Sequence, residues 1–283
     1  MMKKLNVFLL ATSLSVISFG QTVKVVNGDT LNKTDSKGMK QGYWEETVNG
    51  ALLKGNYEDN LKDGTWATYN NKGNVTKVES YADGKKDGVT IVIDDNGYYK
   101  AEANYKNDML DGVQRSYATG ARLISESYYK KGILNGVKKT YYESTSKIQE
   151  EGIYVNGERD GVSKWYNTDG KLLAEYPYKN GKFDGINKTY YASGNVQSET
   201  PFVNNVENGV YKEYFDTLLV AAKPATPAEP ANKKPTDVTP EGTKLLKING
   251  NYIKGHKEGK WIEYDEKGVL IKTTNFKDGV ERK

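Results

Sequence analysis

Five aspartates stand immediately before the glycines that recur at a near-constant spacing, at Asp63, Asp87, Asp111, Asp160 and Asp184. Carboxylates repeated at fixed spacing are the raw material of a calcium site, which needs several converging oxygens. The equivalent residues elsewhere in the chain are Gln41, Asn135, Asn208 and Glu258. What is common to them is a side-chain oxygen, not a charge. That pattern fits turn chemistry, in which Asp and Asn bond to their own backbone. A regular series of glutamates, at Glu102, Glu126, Glu151, Glu175 and Glu199, could suggest acid–base work on glycosidic bonds. That chemistry needs two distinguished carboxylates across a cleft, and these repeat equivalently. The sole histidine, His256, falls in the turn "YIKGHKEG" with no nucleophile and orienting acid placed beside it. One histidine and no cysteine leave no soft metal site, no thiol catalysis and no disulfide. No glycine-rich phosphate loop precedes a helix. The expectation is a protein that is not an enzyme and uses neither cofactor nor metal.

The elements that position these residues follow from the spacing. Glycines recur at Gly42, Gly64, Gly88, Gly112, Gly136, Gly161, Gly185, Gly209 and Gly259, 22 to 25 residues apart up to Gly209 and 50 beyond it. From Gly64 onward an aromatic stands seven residues earlier: Tyr57, Tyr81, Tyr105, Tyr129, Tyr154, Tyr178, Phe202 and Tyr252, with Phe276 as a ninth. Self-similarity at a fixed period marks a repeat architecture. Each repeat reads as two short strands rich in β-branched and aromatic residues, such as "GVKKTYY" and "KLLAEYPY". Turn signals separate them, among them Asn49-Gly50, Asn96-Gly97, Asp169-Gly170 and Ser193-Gly194. The fold class is therefore all-β: an elongated single-layer antiparallel sheet of repeated β-hairpins. Eighteen strands at the usual spacing would span on the order of 85 Å.

A register follows if each anchor aromatic faces the glycine seven residues on. It sets Glu102 opposite Arg115, Glu126 opposite Lys139, Glu151 opposite Lys164, Glu175 opposite Lys188 and Glu199 opposite Lys212. Acid meets base in five consecutive repeats, as cross-strand pairing favours, and a solvated face is the expected home of such a row. An aliphatic column six residues before each aromatic includes Val75, Leu123, Leu172, Val196, Leu246 and Leu270. Its parity assigns it to the face of the aromatics, read as the core. The opposite face carries Tyr69, Tyr117, Tyr141, Tyr166, Tyr190, Tyr214 and Tyr264. The run Tyr117, Tyr141, Tyr166, Tyr190 and Tyr214 is either a packing stripe or an exposed binding stripe, since aromatic rows serve both.

Residues 1–20 read as a signal peptide: Lys3 and Lys4, then the apolar "LNVFLLATSLSVISF", then small residues. With no cysteine there is no lipoprotein anchor, so the expected location is exported: periplasmic, outer-surface or extracellular. Residues 21–41 form a lead-in, 42–215 the main repeats, 216–243 an insertion and 244–283 the last repeats. The insertion "AAKPATPAEPANKKPTDVTPEG" holds five of the seven prolines and is expected to be an extended, disordered spacer. Of the 41 basic residues two leave with the leader, so the rest nearly balance the 37 acidic ones. Near-neutrality gives no footprint for nucleic acid and little for anionic lipid. A hydrophobic fraction of 36% with 22 tyrosines points to a thin fold that buries amphipathic rings.

The stretches "DGTWATYNNKGNVTKVESYADGKKDG" and "DGINKTYYASGNVQSETPFVNNVENG" resemble the MORN repeat in its variant bacterial form. The resemblance runs from Gly42 to Gly279 apart from the insertion. It implies a protein-binding scaffold, and through the YwqK-type group an antitoxin- or immunity-like role. The partner is then another protein, bound by a monomer. The other reading is a surface module that binds glycan or membrane.

Overall fold

Two kinds of turn alternate along the chain and set its fold. The computed structural model describes residues 14–18, 21–26, 29–219 and 243–283. It contains strands and no helix among the described residues. Most of the expected signal peptide lies outside them; its residues Leu14–Ser18 form a strand paired with Gln21–Val26. The proline-rich stretch 220–242 also lies outside. The strands that flank it, Gly209–Leu219 and Thr243–Ile253, pair directly, with Leu219 opposite Thr243. The chain divides into two compact units: Met1–Ile148 with Tyr154–Gly157, and Gln149–Ile153 with Glu158–Lys283. Within each, strands pair antiparallel with their sequence neighbours, as a run of hairpins in an open sheet.

In four repeats the first turn is closed by its own leading side chain. Asn70, Asp94, Asn167 and Asp265 each accept two backbone N–H groups, from the residues two and four positions later. These Asx turns explain why that position is Asn or Asp in these repeats, where others hold Ala118, Tyr142 or Tyr191. The second turn is a two-residue loop with both residues at positive φ, for example Asp83-Gly84 and Asn180-Gly181. Such loops match the right-handed twist of the flanking strands and draw on Asn, Asp and Gly.

Each repeat then kinks at its glycine. Gly112 has φ 113, a region closed to most side chains. There Ala103 pairs with Gln114 but Tyr105 pairs with Leu110, so two extra residues bulge from the second strand. This corrects the sequence register at one point. The anchor aromatic does not face the glycine seven residues on; it faces the glycine of its own hairpin, as Tyr105 faces Gly88 and Tyr129 faces Gly112. The five acid–base pairs are nonetheless in register, because they lie beyond the bulge.

A second bulge precedes each tyrosine of the opposite face, between Ser116 and Tyr117, Trp165 and Tyr166, and Thr189 and Tyr190. It flips the parity of everything beyond it. The aliphatic column therefore changes face: Leu123 is opposite Tyr117, Leu172 opposite Tyr166 and Val196 opposite Tyr190. The expected placement of that column with the anchor aromatics is overturned.

The aromatic face is the buried one. In the first unit Trp66 is 2% exposed and Thr90 and Ala103 are buried beside it; in the second unit Ser163 and Trp261 are buried on the corresponding face. Small residues oppose the large rings. A Cβ placed on Gly55 would lie 2.3 Å from the Trp66 ring, and one on Gly250 would lie 2.2 Å from Trp261. Two indoles thus sit directly on glycine backbone, and Trp66 Nε1 donates to the Asn56 carbonyl at 2.9 Å.

Candidate functional site: the repeated surface

Two of the aspartates before glycine, Asp111 and Asp160, are stitches between repeats, and so are the equivalent Gln41, Asn208 and Glu258. In the second turn, the N–H of the second residue donates to the carbonyl two residues before the preceding glycine: Gly84 to Lys62, Gly132 to Leu110, Gly181 to Arg159, Gly255 to Glu207. The residue just before that glycine accepts the N–H of the first turn residue. Asp111 takes Lys131, Asp160 takes Asn180, Asn208 takes Lys254, Glu258 takes Asp278 and Gln41 takes Asp59. All five side chains do the same job, so an oxygen is required and a charge is not. They cap the next repeat's turn rather than their own. Asp160→Asn is expected to leave thermal stability unchanged, whereas Asp160→Ala should cost about 1 kcal/mol. Equal losses in both variants, measured by calorimetry, would contradict the capping role. Among the described residues no group of three or more acids and histidines is arranged to hold a metal. His256 is exposed and packs beside Gly279.

On the tyrosine face the charge row and the ring row interlock. Arg115 bridges Glu102 and Glu126, at 2.6 Å to each. In the second unit Tyr166 donates to Glu151 at 2.8 Å, Tyr190 to Glu175 at 2.7 Å and Tyr214 to Glu199 at 3.0 Å. Lys164 meets Glu175 at 3.4 Å. Tyr117 and Tyr141 are half-buried in the first unit, and Tyr214 is buried. Within the stripe Tyr117, Tyr141, Tyr166, Tyr190 and Tyr214, three hydroxyls are thus tied to carboxylates, those of Tyr166, Tyr190 and Tyr214. Burial, then the hydrogen bond to glutamate, pushes the Tyr166 and Tyr214 hydroxyls up to about 12. The contribution of these bonds to stability is full below the ordinary phenol value of about 10 and is lost as pH rises through about 12. Phenolate absorbance on an alkaline titration should show a late-ionising class that shrinks in Tyr166→Phe; uniform ionisation near 10 in the folded protein would contradict it.

The surface that remains free was not singled out by sequence reasoning. The residue after each bulge glycine points outward on the tyrosine face. In the second unit Val162, Ile186 and Val210 are 43%, 51% and 55% exposed. Val162 is paired with Pro177, and Ile186 with Pro201. Ile153, Pro177 and Pro201 lie over Gly161, Gly185 and Gly209, where an added Cβ would meet them at 3.3, 2.7 and 3.1 Å. A glycine at these points lets the apolar row run on from strand to strand. The prolines fit because their missing N–H is not needed: each uses its carbonyl, accepting from Asp184 and Asn208. In the first unit Val89 and Val137 hold the same position and are also exposed. Beside Val137 a recess of about 290 Å³ is lined by Tyr128, Asn135, Glu126 and Lys139. The signal in the sequence was the recurring Gly-Val or Gly-Ile pair, whose second member shares parity with the charge row.

Residues 159–180, 183–204 and 257–278 match the MORN repeat variant family. No curated protein matches the chain. Each matched segment begins two residues before a bulge glycine and ends on the first positive-φ residue of the second turn, Asn180, Asn204 or Asp278. The family unit thus coincides with the stitched unit seen here, and its members are generally associated with binding or scaffold roles. The chain carries repeats of the MORN variant family.

Proposed function

We propose that this chain is an exported, non-enzymatic scaffold that binds another protein through the apolar row on its tyrosine face. The carrying observation is the exposure of Val162, Ile186 and Val210 as a row bordered by prolines. An exposed apolar patch rimmed by polar groups is the usual mark of a protein contact. The surrounding Tyr, Glu and Lys side chains are held by one another, which keeps the row rigid and lowers the ordering cost of binding. An antitoxin- or immunity-like role is one form of this reading, in which the partner is a toxic protein. Export rests on the composition of residues 1–20. The test is co-purification from the exported fraction of the producing cells. A stoichiometric partner is expected with the native chain and lost with Val162→Glu, Ile186→Glu and Val210→Glu combined, at unchanged circular dichroism. Retention of the same partner by the folded triple variant would refute the assignment of the row.

A further inference from the structure

The position two residues before the bulge glycine carries a cation in five repeats, and each cation lies over rings of the aromatic face. Lys40 is 4.6 Å from the centroids of both Trp44 and Tyr57. Lys62 lies over Trp66 at 4.3 Å and Tyr81 at 5.2 Å. Lys86 lies over Tyr105 at 5.1 Å, and Arg159 over Trp165 and Tyr178 at 5.3 Å. Lys257 lies over Trp261 at 4.1 Å and Phe276 at 5.2 Å. In the repeats of Gly112, Gly136 and Gly185 the position is Leu110, Leu134 or Phe183. There the residues two and four after the glycine are Gln114 and Ser116, Lys138 and Thr140, or Asn187 and Thr189, so no such ring pair is offered.

The repeat of Gly209 breaks this rule. It offers the ring pair, Tyr211 and Tyr252, but the position holds Glu207. The two rings meet at 6.0 Å and 87°. The cation-holding pairs Trp44–Tyr57 and Trp261–Phe276 meet at 5.8 Å and 88°, and at 6.2 Å and 75°. Among the described residues no lysine or arginine lies over Tyr211 or Tyr252, and Glu207 has no ion pair. The Glu207 side chain approaches the next turn, its Oε2 3.8 Å from a Cβ placed on Gly255. Both rings and the carboxylate are half-buried. Trp261 stacks on Tyr211 at 5.4 Å and meets Tyr252 edge-on at 5.1 Å, so a ligand must enter from the side of the pair away from the indole.

We propose that Glu207, Tyr211 and Tyr252 form a binding site for an alkylammonium group. The ligand supplies from outside the cation that sibling repeats supply from their own chain, and the carboxylate completes its charge. Ring faces attract such cations within about 6 Å of the centroid. A quaternary ammonium head and a lysine side chain share this chemistry, and two probes separate them.

The test is a titration of the full chain with choline and, separately, with Nα-acetyl-lysine amide. The readout is the ring-proton shifts of Tyr211 and Tyr252. Saturable millimolar binding is expected, weakened about fivefold or more in Glu207→Gln and abolished in Glu207→Lys. The lysine variant fills the site from within, as five sibling repeats do, and its melting temperature reports that it folds. Tighter binding of choline assigns a quaternary head; tighter binding of the lysine probe assigns a side chain. A wild-type chain silent to both probes, or a folded Glu207→Lys variant that still responds, overturns the proposal.

Discussion

Gly250→Ala is expected to destabilise the last repeats by about 3 kcal/mol, the upper range for overpacking a filled site. Three carbons of the Trp261 ring lie within 2.2 to 2.7 Å of where the new Cβ would stand. Gly250 is not at positive φ, so the effect is steric and not a matter of backbone strain. The indole is buried, and its neighbours Tyr211, Tyr252 and Phe276 are all in ring contact with it. It has nowhere to move without unseating them. Gly55→Ala should behave alike in the first unit, through Trp66. Because repeat arrays lose stability locally, amide exchange over 243–277 reads the change better than a global melt. Adding Trp261→Leu to Gly250→Ala should recover part of the loss, as coupled neighbours do. Full protection in Gly250→Ala alone would show that the ring is not seated on the glycine.

Lys86→Met is expected to cost about 2 kcal/mol at neutral pH, because it leaves a buried carboxylate with one of its two lysine partners. Glu79 is 6% exposed and meets Lys86 at 2.7 Å and Lys77 at 3.2 Å. Burial alone would push its carboxyl up; the Lys86 hydrogen bond and the two lysine charges together hold it below the usual glutamate value. In the native protein the contribution of Glu79 is therefore present above about 4.5 and is lost as pH falls through its folded value. In the variant the buried carboxylate keeps Lys77 alone, so its charged form is less well supported and the defect should shrink as acid neutralises it. Chemical denaturation of both proteins at pH 7 and at about pH 4 checks this. A defect that is the same at both values would contradict the assignment to Glu79.

Much of this was legible in the sequence, and the reason is periodicity. The hairpins, the open antiparallel sheet and the acid–base row follow from residues that recur at one spacing. Glu102 with Arg115 and Glu175 with Lys188 are cross-strand partners as the spacing required. The faces were less legible, since parity holds only along an unbroken strand. The bulge before Tyr117 moved Leu123 to the other face, and nothing in the residue types near Ser116 announces it. The aspartates read as bonding their own backbone, but the bonds of Asp111 and Asp160 reach the turn of the following repeat. That contact depends on how repeats stack, which a single repeat does not encode. The apolar row escaped notice because Val162 and Ile186 sit beside glycines that mark the repeat boundary. Their exposure follows from the kink, which brings Pro177 and Pro201 over the neighbouring glycines.

The account holds that this chain works through a repeated surface, and site-specific photo-crosslinking tests that directly. A photoreactive amino acid placed at Ile186, in living producing cells, should give one discrete crosslinked partner. The same group at Thr168, on an exposed first turn, should give none. A partner captured equally from Thr168, or none from Ile186, Val162 and Val210 in turn, would contradict the account.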